Sequence, residues 1–191
     1  MATPTGRYFQ KFLNTIMIFK HPQHPQFKNP MPLVEKLDRA VYRYGNYFIM
    51  EMPADPEFLY HEGVAMNHCL QVCYHEYAER MRSGAQRQFS LVDLNDGMPK
   101  VDIELSLTES SYSGEVQEPV VTQIRGISNQ CPPDDRYLPA IMEFMRNQGL
   151  VFTHHGVHNF DGRCDGDLVL ERWEKIKESL KDKRKILDYK I

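Results

Sequence analysis

The 191-residue chain lacks the patterns that mark membrane and secreted proteins. No apolar run approaches the roughly 20 residues that a transmembrane helix needs. The best N-terminal candidate, residues 12–19, is too short, and it has no small-residue cleavage site of the kind that follows a secretory signal. Only four cysteines occur, at irregular spacing, which is typical of reduced thiols rather than of a disulfide framework. These absences predict a cytoplasmic protein without a membrane partner.

Signatures of common enzyme classes are also missing. The sequence contains no P-loop, dinucleotide-binding fingerprint, serine elbow or Cys-x-x-Cys pair, so it assigns no cofactor. The net charge is −3, of which residues 171–191 contribute +3, so the other 170 residues carry −6. Such an acidic body is not typical of a dedicated nucleic-acid-binding protein. The composition, 41% hydrophobic and 26% charged, is that of a folded domain.

Alternation of apolar and polar residues predicts a small antiparallel sheet. Residues 88–94 and 101–107 flank an Asn-Asp-Gly turn, and Asp-Gly supplies the positive φ angles of a tight hairpin. Residues 119–127 predict a third strand, and residues 47–52 a further short one. In the third strand, one face is predicted to carry Val120, Thr122 and Ile124. The opposite face is predicted to carry Val121, Gln123 and Arg125.

Helical spacing of apolar residues predicts the remaining elements, which lie at 33–43, 64–82, 136–148 and 168–187. A further helix should begin at Asp55, with Pro56 in its first turn, and break or bend at Gly63. The expected fold is therefore α+β, a small antiparallel sheet flanked by helices and followed by a C-terminal helix. We divide it into an N-terminal segment with a proline-rich connector (1–32), a core (33–170) and a charged C-terminal helix (171–191).

A run of histidines and cysteines in residues 64–82 raises the question of a zinc site. Tetrahedral zinc needs four ligands that converge on one point. On a continuous helix, Cys69 and Cys73 fall on the apolar stripe, whereas His68 and His75 fall on another face. The phasing therefore predicts core cysteines, histidines that do not face the core, and no zinc.

A second polar cluster lies near the C-terminus and consists of His154, His155, His158, Asp161, Cys164, Asp165 and Asp167. Histidine and carboxylate ligands in a loop can adapt to a metal, but no standard metal-site spacing is present. We assign no metal here and favour a polar loop, although the sequence leaves metal binding by the three histidines open.

The polar face of the sheet is the best candidate site. If the sheet buries its Val/Ile/Leu face, Asp102 and the other polar strand residues emerge on the opposite face, where the helix carrying His68 could cover them. A carboxylate beside a guanidinium can bind a polar ligand or act in acid–base chemistry. We predict catalytic roles for His68, Glu104 and Arg125, and ligand-binding roles for Gln123 and Asn129. The competing interpretation is a polar sheet face that simply contacts water.

The order of motifs resembles the PcfJ-like family, whose members occur on conjugative plasmids and in bacteriophages. The resemblance covers residues 57–148 and rests on these strings: Glu62-Gly63-x2-Met66-x-His68-Cys69-x4-Tyr74, Ser83-Gly84-x4-Phe89-Ser90-Leu91, Pro99 with Ile103-Glu104, and Gln123-x-Arg125-Gly126-x2-Asn129 followed by Pro132 or Pro133. The family's usual Cys-Val-Gly-x-x-Tyr run has Gln71 in place of the glycine, which argues against a close backbone approach there. The resemblance implies a mobile-element protein, phage-encoded and located in the host cytoplasm.

The leading functional prediction is a phage or mobile-element accessory protein that binds a polar, phosphate-bearing ligand or nucleic acid through the five site residues. Arg125 would pair with the anion and Glu104 would orient it or act as a base. Two alternatives stay open: a non-enzymatic protein that binds and inhibits a host factor, and a metal-dependent hydrolase or nuclease. The sequence therefore does not decide whether the chain is an enzyme.

Overall fold

The chain folds as the predicted α+β arrangement. The structure is a computed structural model, and it describes residues 30–106, 119–152 and 165–188. The strands are β1 Ala40–Tyr44, β2 Tyr47–Glu51, β3 Gln86–Asp93, β4 Pro99–Ser106, β5 Val120–Gly126 and β6 Val151–Phe152. The helices are α1 Leu33–Asp38, α2 Pro56–Met66, α3 Leu70–Arg82, α4 Leu138–Gln148 and α5 Asp165–Asp188.

The six strands form one sheet in the order of the sequence, β1 to β6. The first five are antiparallel to their neighbours, and β6 pairs parallel with β5. The predicted strand at 47–52 and the hairpin of β3 and β4 are confirmed, and Gly97 takes the positive φ of +68° that its turn requires. None of the helices in these described segments is long and apolar enough to cross a membrane.

Helices cover both faces of the sheet, so that the domain has three layers. On one face, Leu138, Ile141 and Phe144 of α4 pack against Ile103 and its apolar neighbours on the strands. On the other face, α2 and α3 place Leu59, Leu70 and Tyr74 against apolar residues of β2 and β3. Because successive residues of β2 point to opposite sides, Phe48 and Met50 belong to one core and Ile49 to the other.

The predicted alternation of β5 is wrong in its first half. Val121 and Ile124 both lie in the core beneath α4, although they were expected on opposite faces. The register shifts between Glu104 and Leu105 of β4, which pair with Gln123 and Val121 respectively. This bulge inserts Thr122 as an extra residue and so reverses the alternation. The physical consequence is that Thr122 joins the polar face, where it contacts Glu104.

The start of α2 is confirmed, but the expected break at Gly63 is wrong. The Asp55 carboxylate accepts a hydrogen bond from the Glu57 N–H at 3.1 Å, as an N-cap residue does. The helix continues through Gly63 to Met66 and ends where Asn67 adopts a left-handed conformation, with φ 52° and ψ 52°. Asparagine tolerates this conformation better than most residues, so the chain turns there rather than at the glycine.

The predicted continuous helix at 64–82 is therefore two helices, and the phasing drawn from it is wrong. Because the chain turns at Asn67, counting 100° per residue across that point loses its meaning. His68 is buried in the connection, whereas Cys69 is exposed and Cys73 is half-buried. His75 is exposed, as expected.

The predicted helix at 33–43 also stops early, because α1 ends at Asp38 and Ala40 begins β1. The β-branched and aromatic residues from Val41 to Tyr44 favour a strand, and Gly45, at φ +55°, provides the turn into β2. Helix α4 and its end at Gly149 are confirmed, as is the C-terminal helix, which begins at Asp165. The division at 32 and 170 stays a prediction.

Candidate functional site

A buried histidine–aspartate pair links the α2–α3 connection to the sheet. His68 Nε2 lies 2.5 Å from Asp102 Oδ2, and the two residues are only 5% and 6% exposed. The Leu70 N–H donates to Nδ1 of the same ring at 3.3 Å. Both ring nitrogens are thus engaged, and the neutral ring carries its hydrogen on Nε2, where it donates to Asp102.

The local sequence explains why His68 reaches the sheet. Helices α2 and α3 approach so closely at Gly63 that a Cβ there would lie 2.0 Å from the Gln71 backbone nitrogen. The expectation that Gln71 avoids a close backbone approach is therefore wrong, since Gly63 supplies the missing space. At the turn between the helices, Asn67 Nδ2 donates to Ser128 Oγ at 2.9 Å, which ties the connection to the end of β5.

The charges around His68 favour its protonated form. Burial alone would lower the pKa of the ring, but the charge of Asp102 and its hydrogen bond outweigh that effect and raise the pKa above its ordinary value. The negative charge of Glu62 acts in the same direction. His68 and Asp102 therefore form an ion pair whenever the ring holds its second proton.

Glu104 is held by hydrogen bonds from neutral side chains. Its Oε1 accepts from the Thr122 hydroxyl at 2.8 Å, and its Oε2 accepts from Gln88 Nε2 at 3.2 Å. Thr122 reaches it because of the bulge in β5. Within residues 30–106, 119–152 and 165–188, Glu104 makes no ion pair, so its charge is fixed in place without being neutralised.

Arg125, by contrast, is paired within the protein. Its Nε lies 2.8 Å from Asp165 Oδ2, and the Asp165 side chain is only 1% exposed. Asp165 also accepts a hydrogen bond from the Ile124 N–H at 3.2 Å, and Arg125 donates to the Asn129 carbonyl at 3.3 Å. As the first residue of α5, Asp165 has the sign of charge that a helix N-terminus favours. The guanidinium is therefore balanced by a buried carboxylate.

The five residues predicted from sequence surround one pocket, which we call the polar pocket. Its lining residues are His68, Cys69, Leu70, Tyr77, Gln88, Asp102, Glu104, Gln123, Arg125 and Asn129. The cavity measures about 20 Å³, which is room for about one water molecule. The predicted catalytic and ligand-binding roles stay predictions, but the structure brings all five side chains together.

Cys69 and Tyr77 complete the wall of the polar pocket, with Sγ and Oη 4.0 Å apart. Desolvation is the largest influence on both groups and raises the pKa of each above its ordinary value. At neutral pH the cysteine is therefore a thiol and the tyrosine a phenol. Both offer neutral hydrogen-bonding groups rather than a thiolate nucleophile.

Metal binding receives no support from the described residues, among which no group of three or more histidine, cysteine or carboxylate side chains could hold an ion. The cluster at 154–167 falls mainly on residues 153–164, which lie outside the described part of the chain. Of that cluster, Asp165 and Asp167 are described, and Asp165 serves as the partner of Arg125.

Sequence reasoning missed three partners of the site. Asp102 was placed on the correct face, but nothing in the spacing paired it with a histidine 34 residues away. Asp165 is 41 residues from Ile124, whose N–H it accepts, and its role depends on how α5 docks. Thr122 was assigned to the wrong face. The one available signal was the run of β-branched residues at 120–122, which does not reveal a bulge.

Comparisons with known proteins do not narrow the class of this chain beyond an α+β domain with a polar pocket. No family model and no curated protein matches the sequence. Among solved structures, the chain is similar to a ribosomal-protein-S5-alanine acetyltransferase from Vibrio fischeri, with a TM-score of 0.36 and 11% sequence identity. That similarity covers 56% of this chain and 68% of the acetyltransferase. A likeness this small supports no conclusion about fold or function.

Proposed function

We propose that this chain binds a polar ligand by taking one of the ligand's amino groups into the polar pocket. The observation that carries the proposal is the meeting of Glu104, Gln123 and Asn129 at a cavity with room for about one small polar group. A carboxylate and two amides are suited to recognising a group with N–H donors. The rest of the ligand would lie at the mouth of the pocket.

The balance of charge supports an amino group rather than the phosphate that the sequence suggests. Asp165 neutralises the Arg125 guanidinium, and Asp102 faces His68. Glu104 then remains as a negative charge without an ionic partner among the described residues. A phosphate would enter beside this like charge, whereas an amino group would donate to it.

If the ligand is a nucleic acid, we expect the polar pocket to contact its bases rather than its phosphate backbone. Carboxylates accept hydrogen bonds from the amino group of cytosine, and asparagine or glutamine can pair with adenine. The biological setting that we propose is a phage or mobile element, and it rests on the resemblance to the PcfJ-like family. A host-protein partner stays a prediction.

A probe titration tests the proposal. NMR spectra of the labelled protein would be recorded with cytidine, with uridine (which lacks the amino group), with butylamine and with inorganic phosphate. We expect cytidine or butylamine to shift the side-chain amide signals of Gln123 and Asn129, and uridine and phosphate to leave them in place. Shifts from phosphate alone would overturn the proposal, as would no response to any of the four.

A matched pair of variants tests whether Glu104 contributes to ligand binding. Glu104→Gln keeps the shape but removes the charge, and a hydrogen bond to a charged group contributes about 1.5–3 kcal/mol, so affinity should fall roughly tenfold or more. Glu79→Gln is the control because Glu79 is an exposed residue of α3 outside the pocket. Equal ligand affinities in the two variants would show that Glu104 does not contribute to binding.

A further inference from the structure

A second cavity lies on the α2 side of the sheet, beside the turn between β3 and β4. It measures about 250 Å³, and no described residue lines both it and the polar pocket. An apolar cavity of about 150 Å³ is large enough to bind benzene, so this one has room for a small organic molecule. Most of its wall is apolar, with a lining that includes Met31, Phe58, Val64, Met98 and Pro99.

Two of the apolar lining residues are exposed, and they mark the open side of the second cavity. Val64 of α2 is 49% exposed, and Met98, just before β4, is 43% exposed. Single exposed apolar side chains are ordinary on protein surfaces, but these two belong to one concave site. An apolar ligand that covered them would remove their surface from water.

Two buried charged side chains interrupt the apolar wall. Lys36 of α1 is 6% exposed and Glu62 of α2 is 3% exposed, and both line the second cavity. Lys36 Nζ donates to the Gly97 carbonyl at 3.2 Å but lies 4.0 Å from Glu62 Oε2, which is too far for a hydrogen bond. Buried charges are costly unless they are closely paired, so this loose pair needs a physical account.

The loose pair leaves hydrogen-bonding capacity at the wall of the cavity. Glu62 Oε1 is buried and has no hydrogen-bond partner among the described residues. The Ser90 hydroxyl is close enough to favour the charged form of Glu62, but its oxygen also lacks a partner in that part of the chain. Of the three N–H donors of Lys36, one is used within the described residues, by Gly97. An acceptor and a donor are therefore both open to a ligand.

This combination of groups specifies the polar function that a ligand should carry. An ammonium ion could donate to Glu62 but would meet the like charge of Lys36. A carboxylate could accept from Lys36 but would meet the like charge of Glu62. A hydroxyl group both donates and accepts, so it can bond to both side chains without adding a charge.

The other lining side chains favour an aromatic body for the ligand. Phe58 contributes a ring to the wall, and Met31 and Met98 contribute thioethers, which make favourable contacts with aromatic rings. His61 adds a second ring, which packs edge-on against Tyr60. A flat ring therefore matches both the size and the chemistry of the cavity.

We propose that the second cavity binds a phenol, that is, an aromatic ring that carries a hydroxyl group. The hydroxyl group donates to Glu62 Oε1 and accepts from Lys36 Nζ, and so completes the loose ion pair. The ring lies against Phe58 and Met98, towards the open side. This site shares no described residue with the polar pocket and does not depend on the proposed function.

The protonation state of Glu62 sets the conditions of the test. Burial, and then the negative charge of Asp102, raises the pKa of Glu62 to about 7, against the opposing effect of Lys36. At about pH 8 Glu62 is therefore mainly a carboxylate, whereas a phenol, which ionises near pH 10 as tyrosine does, is neutral. Binding is best measured at that pH.

Four probes that share a methyl-substituted ring test the proposal on the wild-type protein. They are p-cresol, toluene, 4-methylbenzoate and 4-methylbenzylamine, and NMR would follow the methionine methyl signals. We expect p-cresol to shift Met31 and Met98, and to leave Met145, in the core beneath α4, unchanged. Toluene should bind roughly tenfold or more weakly, because it lacks the hydrogen bonds to charged groups. The two charged probes should cause no shift.

Each contrary result of this series overturns the proposal. An absence of shifts with p-cresol would show that the cavity is not a site for a phenol. Equal affinities for p-cresol and toluene would show that Lys36 and Glu62 do not select a hydroxyl group. Tighter binding of either charged probe would assign the site to another class of ligand.

A filling variant tests the location of the site. Ala65 lines the cavity from α2 and is half-buried, so Ala65→Leu adds methyl groups where there is space and keeps a strong helix former. Its affinity for p-cresol should fall at least about tenfold, since the added side chain occupies part of the volume that the ring needs. Ala85→Leu is the matched control, at an exposed position outside the cavity. Equal affinities in the two variants would contradict the location.

A charge-removing variant tests the role of the loose pair. Lys36→Met keeps an unbranched side chain but removes the donor, so the preference for p-cresol over toluene should fall while toluene binds as before. Lys175→Met, at an exposed lysine of α5 outside the cavity, should retain the wild-type preference. An unchanged preference in folded Lys36→Met would contradict the role of Lys36. If that variant does not fold, the four probes on the wild-type protein still decide.

Discussion

The two faces of strand β4 bury opposite kinds of side chain, apolar on one face and polar on the other. Val101, Ile103 and Leu105 point to one side and are at most 1% exposed in the apolar core beneath α4. Asp102 and Glu104 point to the other side, beneath α2 and α3, where Asp102 is 6% exposed. Both sides are covered by helices, but along β4 only the side beneath α4 consists of apolar side chains.

The difference indicates where function resides in this molecule. An apolar side of the sheet needs no explanation beyond stability, whereas buried polar groups lose the interactions they had with water. Several polar groups of the polar pocket have a defined partner, such as Asp102 for His68 and Asp165 for Arg125. A polar cluster with fixed partners is rigid, which is the property a binding site requires.

The largest expected effect comes from damaging the apolar side. Phe144 is fully buried, so Phe144→Ala should lower the free energy of unfolding by roughly 3–5 kcal/mol. Urea denaturation followed by circular dichroism measures this. The His68 ring signals should keep their titration behaviour, because α4 lies on the opposite side of the sheet. A changed His68 pKa in the folded variant would show that the two sides are not separate.

A smaller loss should follow from damaging the polar side. Asp102→Asn removes the charge that faces His68, yet the ring can lose its proton and avoid an unpaired buried charge. We therefore expect a loss of about 1–3 kcal/mol in the free energy of unfolding, less than for Phe144→Ala. The pKa of His68 should fall, since its main stabilising partner is gone. A loss as large as that of Phe144→Ala would contradict this ranking.

The pH dependence of the free energy of unfolding distinguishes the polar side of the sheet from the apolar side without a large structural change. Because the pKa of Glu62 rises on folding from 4.5 to about 7, the folded protein holds a proton that the unfolded chain releases between these values. Stability from Glu62 is therefore fully present below pH 4.5 and decreases as the pH rises through about 7, by at most about 1.4 kcal/mol per pH unit.

Glu62→Gln should remove that contribution to the slope, whereas Glu79→Gln should retain it. The raised pKa of His68 acts in the same direction at higher pH, since stability it contributes is lost as the pH rises through the folded value. Urea denaturation at a series of pH values checks whether the free energy of unfolding falls as the pH rises. An unchanged slope in Glu62→Gln would show that the carboxyl group is not protonated in the folded state.

The sequence predicted the helices and strands better than it predicted the tertiary contacts between them. The hairpin, the start of α2 and the end of α4 follow from local signals: an Asp-Gly turn, an Asp55 N-cap and Gly149 after the last helical turn. The helix break at Asn67 was missed because an asparagine alone is a weak signal of a helix end, and the close packing of α2 on α3 is a tertiary feature. Local propensity carries no information about such packing.

The candidate site was predicted as a set of residues but not as a set of interactions. Strand alternation placed Asp102, Glu104 and Arg125 on one side, and the structure brings them to one pocket. The ion pair of Arg125 depends on the docking of α5 against β5, and the position of Thr122 depends on a bulge. Both are tertiary features, and they change the charge that a ligand would meet.

The comparison of ligand affinities in Glu104→Gln and Glu79→Gln decides whether the polar pocket is the binding site. Glu104 accepts hydrogen bonds from two neutral side chains, and removing its charge weakens both, so the free energy of unfolding should fall by about 1–3 kcal/mol. The effect of Glu104→Gln on NMR-detected binding of cytidine or butylamine should be a roughly tenfold or greater loss, with Glu79→Gln equal to wild type. A Glu104→Gln protein that binds these probes as tightly as wild type would contradict the assignment of the polar pocket as the binding site.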